Sequence, residues 1–208
     1  MQNVLQQIKL LENIYVKKIV DNKMKDFHSL LSAKNDILFQ ELCFCLMAAN
    51  FNAEKSLRIQ NTLKDKLITL SEPKLAEKLK DLGHRYPNVR AKYIVEARKH
   101  IPNLKTVLKS TKDEVELRNW FAQNVKGLGL KEASHFLRNI GYTNFAIVDF
   151  HIVDLLVKNK LLEEPKTITP KIYLQAEEIL KGIAKKANLN LAELDLYLWY
   201  METGKVIK

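Results

Sequence analysis

The stretch "VKGLGLKEASHFLRNIG", residues 125–141, carries the strongest fold signal in the chain. It holds three of the six glycines, two of which, Gly127 and Gly129, are separated by a single leucine. The flanking segments show the apolar spacing of helices. We interpret residues 112–124 and 130–140 as two helices joined by a tight turn. Glycine suits that turn because it tolerates positive φ and close backbone approach.

The turn is also a candidate anion site. Gly127 and Gly129 place no side chains over it, so its amides can face a ligand, and the following helix adds free N–H groups and the positive end of its dipole. A DNA phosphate fits such a site. Gly141 is expected to stop the second helix. The alternative, an ordinary packing corner between two helices, stays open on the glycines alone.

Most of the remaining chain shows the i, i+3, i+4 apolar spacing of helices and little strand-like alternation, so we predict an all-α fold. In the first half we predict helices at 2–21, at 37–48 (very apolar, capped by Asn35 or Asp36 and broken by Asn50–Asn52), from Ser71 and Pro73 to Gly83, and from Pro87 to near Pro102. In the second half we predict helices at 112–124 with a Thr111/Glu114 capping box, from Asp149 to about Asn159, from Thr169–Pro170 to about Ala187, and from an Asn190/Glu193 cap to near Gly204.

Composition points to a polyanionic partner. The chain has 34 Lys and Arg against 24 Asp and Glu, a net charge of +10, and nucleic acid is the commonest polyanion for a basic protein.

Cys43 and Cys45 lie in an apolar run and are expected to be buried, reduced thiols without a metal role. No signal peptide or apolar run of about 20 residues is seen, so we expect an intracellular protein without a membrane span.

The glycine stretch resembles the hairpin of the helix-hairpin-helix DNA glycosylase superfamily. The matching residues are Val125, Gly127, Leu128, Gly129, Lys131 and Ala133. The superfamily follows its hairpin with an apolar-Asp-x-His string, here "VDFH" at 148–151, which places Asp149 18 residues after Lys131.

A finer resemblance is to the compact archaeal-type 8-oxoguanine DNA glycosylase/AP lyases. It rests on "KEASHFLRNIG", "ELCFCLMAANFNA", "LGHRYPNVRAKYI" and the C-terminal lysine after "TGKVIK", and it covers roughly residues 37–208. Iron–sulfur branches of the superfamily carry cysteines near the C-terminus, and this chain has none after Cys45. The resemblance implies one domain, residues 1–208, made of two helical lobes flanking a cleft, with the hairpin motif at about 112–140.

The resemblance also implies a bifunctional repair enzyme. Lys131 is the implied nucleophile, whose amine attacks the sugar C1′ of an 8-oxoguanine nucleotide flipped out of duplex DNA and forms a Schiff base, after which the abasic strand is cleaved by β-elimination. The positive end of the helix dipole disfavours an ammonium and so favours the free amine. Asp149 is expected both to cap its helix and to stabilise positive charge at C1′.

Further site residues follow from the same resemblance. His151 is expected to contact a DNA phosphate, and Asn50, Phe51 and Asn52 to fill the gap left by the flipped base. A base pocket is expected from Trp199, with Tyr86 and the C-terminal Lys208. The backbone carbonyls of Gln123, Val125 and Leu128 are candidates for a monovalent cation, and no other cofactor is expected.

Two other functions stay open at this point. One is a non-catalytic helix-hairpin-helix module that grips DNA through phosphates, although such a module has no need for the Lys131/Asp149 pair. The other is a glycosylase for a different damaged base. The preferred interpretation is a monomeric enzyme acting on double-stranded DNA that contains oxidised guanine, in the cytoplasm of a cell without a nucleus.

Overall fold

All regular secondary structure in the computed structural model, which describes all 208 residues, is helical, and the all-α prediction is confirmed. It contains no β-strand. No helix is long and apolar enough to cross a bilayer. The helices are α1 (Gln2–Glu12), α2 (Tyr15–Ser29), α3 (Asn35–Ala48), α4 (Ala53–Leu63), α5 (Lys66–Thr69), α6 (Glu72–Asp81), α7 (Pro87–Ala97), α8 (Leu104–Leu108), α9 (Glu114–Asn124), α10 (Leu130–Asn139), α11 (Phe150–Lys158), α12 (Pro170–Ala187) and α13 (Leu191–Thr203).

The helices belong to two compact units. The first comprises Met1–Ser29, Leu137–Val206 and Lys208, and the second comprises Leu30–Phe136 and Ile207. The boundary falls inside α10, so the N-terminal part of this helix belongs to the second unit and its last residues belong to the first.

In the second unit, α3 is the central helix. Its sequence is apolar on all sides, which is the pattern of a helix surrounded by protein, and most of its residues are buried, including both cysteines, which are free thiols. Helices α4, α5, α7 and α8 pack against α3, and α6 packs against α7. The prediction of a very apolar, buried helix at 37–48 is therefore confirmed.

In the first unit, α13 has the central place. It packs against α1, α2, α11 and α12. Val16, Val20 and Phe27 of α2 form a buried cluster with Leu196 and Tyr197 of α13. Because α11 and the segment before it rest on α13, this helix supports the start of α11, where Asp149 lies.

Local signals predicted the later helix boundaries well. The side chain of Thr169 accepts the N–H of Ile172 and caps α12, and Asn190 and Glu193 form the expected capping box of α13. Gly204 ends α13 in the left-handed conformation. Gly141 follows α10 with φ of +105°, as its assignment as a helix stop required.

Several helix predictions differ from the structure. The expected helix at 2–21 is two helices, α1 and α2, with a break at 13–14. Helix α9 is capped by Asp113, whose carboxylate accepts the N–H groups of Val115 and Glu116, and Thr111 bonds to Glu116 instead of forming a box with Glu114.

Residues 53–63 form α4, although no helix was predicted there. Neither Asn35 nor Asp36 caps α3, because the helix already begins at Asn35 and Lys34 occupies the cap position without a side-chain hydrogen bond. The side chain of Asn35 bonds instead to the backbone of Pro102 and Lys105. The predicted helix from Pro87 ends earlier than expected, at Ala97, and continues as a 3₁₀ segment, Arg98–Asn103.

Candidate active site

The glycine turn between α9 and α10 packs tightly against α7. Gly127 has φ of +92°, and a Cβ there would overlap the ring of Tyr93 and press on Leu46. Both reasons for glycine, positive φ and close approach, therefore apply at this residue. Lys126, its neighbour, is exposed and pairs with Glu96, with 3.6 Å between Nζ and Oε2.

Gly129 has a different role from the one expected. Its carbonyl accepts the N–H of Ala133 at 2.9 Å, and its own N–H donates to Oε2 of Glu132 at 3.2 Å. This is half of a capping box, in which a glutamate at the third helical position bonds back to the residue before the helix. The Gly129 amide, which we expected to face a ligand, is occupied by a side chain of the protein. The N–H groups of Leu130 and Lys131, which the start of a helix leaves without helical partners, make no hydrogen bond in the structure.

Glu132 also binds the candidate nucleophile. Nζ of Lys131 lies 3.2 Å from Oε1 of Glu132, with side-chain exposures of 31% and 15%. Adjacent residues on a helix do not face each other, so this pair is not an automatic result of helix geometry. One carboxylate therefore holds the Gly129 amide with one oxygen and the Lys131 ammonium with the other, at the helix end where an anion is favoured.

Side chains of α7 and of the turn that precedes α7 fix the loop after α3. The imidazole of buried His84 bonds through Nε2 to the carbonyl of Met47 and accepts the N–H of Tyr86 at Nδ1, each at 3.0 Å. Burial lowers the pKa of this imidazole, in keeping with the neutral form that this bonding requires. The ring of His84 stacks on Phe51, with centroids 4.2 Å apart. Arg90 donates to the carbonyl of Ala49 at 2.6 Å.

The three residues predicted to fill the gap left by the flipped base have different environments. Phe51 is half-buried against His84, and the side chain of Asn52 caps α4 by accepting the N–H of Lys55 at 2.9 Å. Asn50 is exposed and has φ of +55°, the left-handed conformation that asparagine tolerates better than most residues. Asn50 is therefore the one of the three whose side chain is left for a ligand.

Asp149 occupies the predicted cap of α11. Its Oδ1 accepts the N–H of Ile152 at 3.1 Å, so the carboxylate is fixed in direction and remains partly accessible. His151 lies one residue inside the helix, exposed, with its ring 5.5 Å from that of Trp199 in an edge-to-face contact. Nε1 of Trp199 is buried and has no hydrogen-bond partner, although the ring itself is only partly buried. Such an unsatisfied donor is unusual in a structural tryptophan.

The structure places the remaining predicted residues as follows. Tyr86 is 36% exposed and lies under the guanidinium of Arg85, 5.1 Å from its ring centroid. Lys208 is partly buried. Of the three candidate cation ligands, the carbonyl of Val125 accepts the N–H of Leu128 at 3.1 Å, whereas those of Gln123 and Leu128 accept no hydrogen bond.

The predicted site residues are divided between the two units. Lys131, the glycine turn, the loop at 50–52 and Tyr86 belong to the second unit, and Asp149, His151, Trp199 and Lys208 belong to the first. No group of three or more His, Cys, Asp or Glu side chains is arranged to hold a metal ion.

Sequence reasoning missed several residues that hold this site together. Glu132 was readable as a helix-start glutamate three residues after Gly129. His84 and Arg90 bind backbone carbonyls that lie 37 and 41 residues away in the chain. No local sequence pattern indicates such contacts. The same is true of Asp195, whose carboxylate accepts the N–H of Ile147, two residues before Asp149.

Comparison with known proteins shows the family of the chain. A family model described as 8-oxoguanine DNA glycosylase matches residues 20–189. A Korarchaeum cryptofilum protein named 8-oxoguanine DNA glycosylase/AP lyase is 52% identical over 99% of this chain and 98% of its own length. A Methanocaldococcus jannaschii protein of the same name is 46% identical over 99% of both chains.

Solved structures match over the full length of the chain. The crystal structure of the Methanocaldococcus jannaschii 8-oxoguanine glycosylase/lyase in complex with 15mer DNA containing 8-oxoguanine aligns with a TM-score of 0.96 and 45% identity, covering 100% of both chains. The 8-oxoguanine DNA glycosylase of Thermotoga maritima aligns with a TM-score of 0.93 and 39% identity, covering 100% of this chain and 99% of the other.

The fold and the hairpin are those of the helix-hairpin-helix DNA glycosylases. Within that class, the chain belongs to the 8-oxoguanine DNA glycosylase family.

Proposed function

We propose that this protein excises 8-oxoguanine from duplex DNA and then cleaves the resulting abasic strand. The observation that carries the proposal is the full-length match, at a TM-score of 0.96, to a glycosylase/lyase crystallised with DNA containing 8-oxoguanine. The curated relatives that match nearly the whole chain are named for both activities, base removal and AP lyase. A net charge of +10 suits a DNA substrate.

Lys131 is the proposed nucleophile. Its amine attacks C1′ of the flipped nucleotide, the bond from C1′ to the base breaks, and the base leaves with the bonding electrons. The C1′–O4′ bond of the resulting aminal then breaks, O4′ takes up a proton, and the bond from C1′ to the lysine nitrogen becomes an iminium. Loss of a proton from C2′ expels the 3′ phosphate, and water releases the lysine. Glu132, whose Oε1 lies 3.2 Å from Nζ, is the proposed acceptor for the proton that the amine must lose before it attacks.

Asp149 is the proposed stabiliser of the sugar cation. As base departure builds positive charge at C1′, a carboxylate of fixed direction lowers the free energy of that state. The hydrogen bond from the N–H of Ile152 fixes that direction. The cap and the catalytic role are compatible, since the second oxygen of a capping carboxylate is left for the substrate.

The hairpin is the proposed phosphate anchor. With the Gly129 amide bound to Glu132, the N–H groups of Leu130 and Lys131 are the better candidates to meet a phosphate. Gly129 contributes by leaving no side chain above them. His151, exposed at the start of α11, is a second proposed phosphate contact.

The opposite strand and the damaged base require separate contacts. Asn50 is the residue proposed to hydrogen-bond the unpaired base, with Phe51 and Asn52 shaping its loop. Trp199 is the proposed stacking surface for the excised base, because its ring is only partly buried and leaves part of its surface accessible. Tyr86 and Lys208 are proposed to complete the pocket.

The hairpin is also proposed to bind a monovalent cation. Carbonyl oxygens are suitable ligands for such an ion, and those of Gln123 and Leu128 accept no hydrogen bond from the protein. The carbonyl of Val125 has a second lone pair besides the one directed at Leu128. Such an ion would add positive charge beside the phosphate site, and no other cofactor is proposed.

The cellular setting follows from the substrate. Because the proposed substrate is genomic DNA, we expect the protein to act where that DNA lies, in the cytoplasm of a cell without a nucleus. We propose that the protein acts as a monomer.

The proposal is tested with end-labelled duplexes that differ in one base. Duplexes carrying 8-oxoguanine, an abasic site, an alkylated purine or unmodified guanine are incubated with the protein, and free base and strand cleavage are measured separately. We expect base release from the 8-oxoguanine duplex and cleavage of the abasic duplex. Binding of all four duplexes without any cleavage would instead indicate a passive DNA-binding module, and preferential release of the alkylated base would indicate a different lesion.

A further inference from the structure

The segment that leads into Asp149 has no regular secondary structure but is fixed to two helices. Residues 142–149 connect α10 to α11. The carbonyl of Thr143 accepts the N–H of Ala192 at 3.1 Å, and the carbonyl of Ala146 accepts the hydroxyl of Tyr173 at 3.1 Å. The third hydrogen bond is the shortest: the N–H of Ile147 donates to Oδ1 of Asp195 at 2.7 Å. This third point is the closest in sequence to Asp149.

Asp195 is braced by a buried arginine. Its Oδ2 accepts from Nη1 of Arg138 at 2.9 Å, and the side chains are only 6% and 1% exposed. The guanidinium of Arg138 also lies 5.0 Å from the ring centroid of Phe27 in α2. One carboxylate of α13 therefore joins the end of α10 to the residues just before α11.

Stability alone is a poor reason for this arrangement. Removing a carboxylate and a guanidinium from water costs several kcal/mol for each ion, and well-packed apolar residues often replace such pairs without loss. Burial raises the pKa of the Asp195 carboxyl to about 6, against the lowering effects of Arg138 and the Ile147 N–H. The negative charge of Asp149 raises it further. A charge held at this cost, beside a proposed catalytic carboxylate, points to a role in placing that carboxylate.

We propose that Asp195, braced by Arg138, is a positioning residue for Asp149. By fixing the Ile147 amide it determines where the chain enters α11, while the cap bond to Ile152 fixes the other side of Asp149. Asp195 and Arg138 act through Asp149 and do not themselves touch the substrate. The inference rests on the proposed catalytic role of Asp149.

The dependence on pH distinguishes positioning from a purely structural role. The folded-state pKa of Asp195 lies above its ordinary value of 3.8, so the stability contributed by this group is fully present below about pH 4 and is lost as pH rises through about 6. The positioning contact is strongest with the charged carboxylate, which pairs with Arg138 and accepts the Ile147 N–H. It therefore has the opposite dependence: it is fully formed above about pH 6 and weakens below it. Lowering the pH from 7 to 5 should therefore slow excision while this group's contribution to stability increases.

The groups around Asp195 leave this assignment clear. Arg138 of α10 and Asp149 at the start of α11 are the charged groups that act on it. Phe27 of α2 contributes an uncharged ring beside Arg138, and Tyr173 of α12 contributes its hydroxyl to the neighbouring Ala146. A change in excision rate near pH 6 that is absent in Asp195→Asn is therefore due to titration of this carboxyl group.

The test uses single-turnover excision of 8-oxoguanine between pH 5 and 8. Asp195→Asn is expected to lower the rate by about 10- to 100-fold, the range expected when a reacting group is displaced by roughly 1 Å, and to remove the pH dependence near 6. Affinity for the lesion duplex should change less than about threefold, since a positioning role is exerted in the transition state. Arg138→Met/Asp195→Leu keeps the core filled and should keep the melting temperature near that of the parent without restoring the rate.

A double-mutant cycle separates this inference from the proposed function. If Asp195 acts through Asp149, Asp195→Asn should cost little further rate in an Asp149→Asn background. Full additivity would overturn the positioning role, as would a parental rate in the stable Arg138→Met/Asp195→Leu variant. A parental rate in Asp149→Asn itself would instead refute the proposed role of Asp149.

Discussion

Gly127 is where the close packing of the hairpin can be measured. Its φ is +92°, and a Cβ would overlap the Tyr93 ring. For Gly127→Ala, the left-handed backbone costs about 1–2 kcal/mol and the overlap with Tyr93 about 1–3 kcal/mol. The sum of about 2–5 kcal/mol corresponds to a fall in melting temperature of about 4–20 °C, at roughly 2–4 °C per kcal/mol for a protein of this size.

Two other glycines supply matched controls. Gly83 has φ of +78°, but a Cβ there would have no atom within 4 Å, so Gly83→Ala isolates the backbone cost. Gly182 lies inside α12 with open space around it, so Gly182→Ala should stabilise by about 0.5–1 kcal/mol. Thermal unfolding should rank the variants Gly182→Ala, parent, Gly83→Ala, Gly127→Ala, from most to least stable.

A second substitution tests whether overlap with the Tyr93 ring causes the loss of stability in Gly127→Ala. In a Gly127→Ala background, Tyr93→Leu should cost less than it does in the parent, with a coupling energy on the order of 1 kcal/mol, because it removes the ring that the new methyl meets. Duplex affinity should fall together with stability, since the same turn presents the phosphate site. A Gly127→Ala variant no less stable than Gly83→Ala, with no coupling to Tyr93, would refute the packing argument.

The other predictions concern chemistry and substrate. Asp149→Asn keeps a side chain that can cap α11, so the fold should survive while the excision rate falls by about 100-fold or more, the scale of one well-placed electrostatic group; a loss below tenfold would argue against its role. Trp199→Ala, or removal of Lys208, should impair 8-oxoguanine excision far more than cleavage of a pre-formed abasic site, which has no base to stack; equal losses on both substrates would mean that the fold was damaged. Duplex affinity should fall steeply with salt, as counterion release requires for several phosphate contacts, and a flat salt dependence would contradict the basic-surface argument.

The sequence predicted what local patterns encode. The glycine turn, the Asp149 cap and the capping box at Asn190 are each written in a few neighbouring residues, and all three occur in the structure. One error was a local competition between two similar capping signals. Asp113 caps α9 in place of Thr111, because its carboxylate accepts the N–H groups of Val115 and Glu116 and so begins the helix two residues later. Residues 13–14 include no glycine or proline, and the apolar periodicity continues through them. The sequence therefore contains no indication of the break between α1 and α2.

What could not be predicted depends on contacts between distant parts of the chain. The bond from Asp195 to the Ile147 amide spans 48 residues. In the sequence, Asp195 is one acidic residue in an apolar helix, with no sign of its partner. The packing of Tyr93 against Gly127 could not be predicted for the same reason. A glycine indicates that space is needed but not which side chain occupies that space.

The central claim, that Lys131 is the covalent nucleophile, is tested most directly by borohydride trapping on a duplex carrying 8-oxoguanine. Parent protein should give a covalent protein–DNA adduct, and Lys131→Gln should give none, because an amide side chain cannot form an imine. Lys126→Gln is the matched control: it removes an exposed lysine from the same turn, one that pairs with Glu96, and should trap at the parental rate. Formation of the adduct by Lys131→Gln at the parental rate would show that another amine performs the reaction.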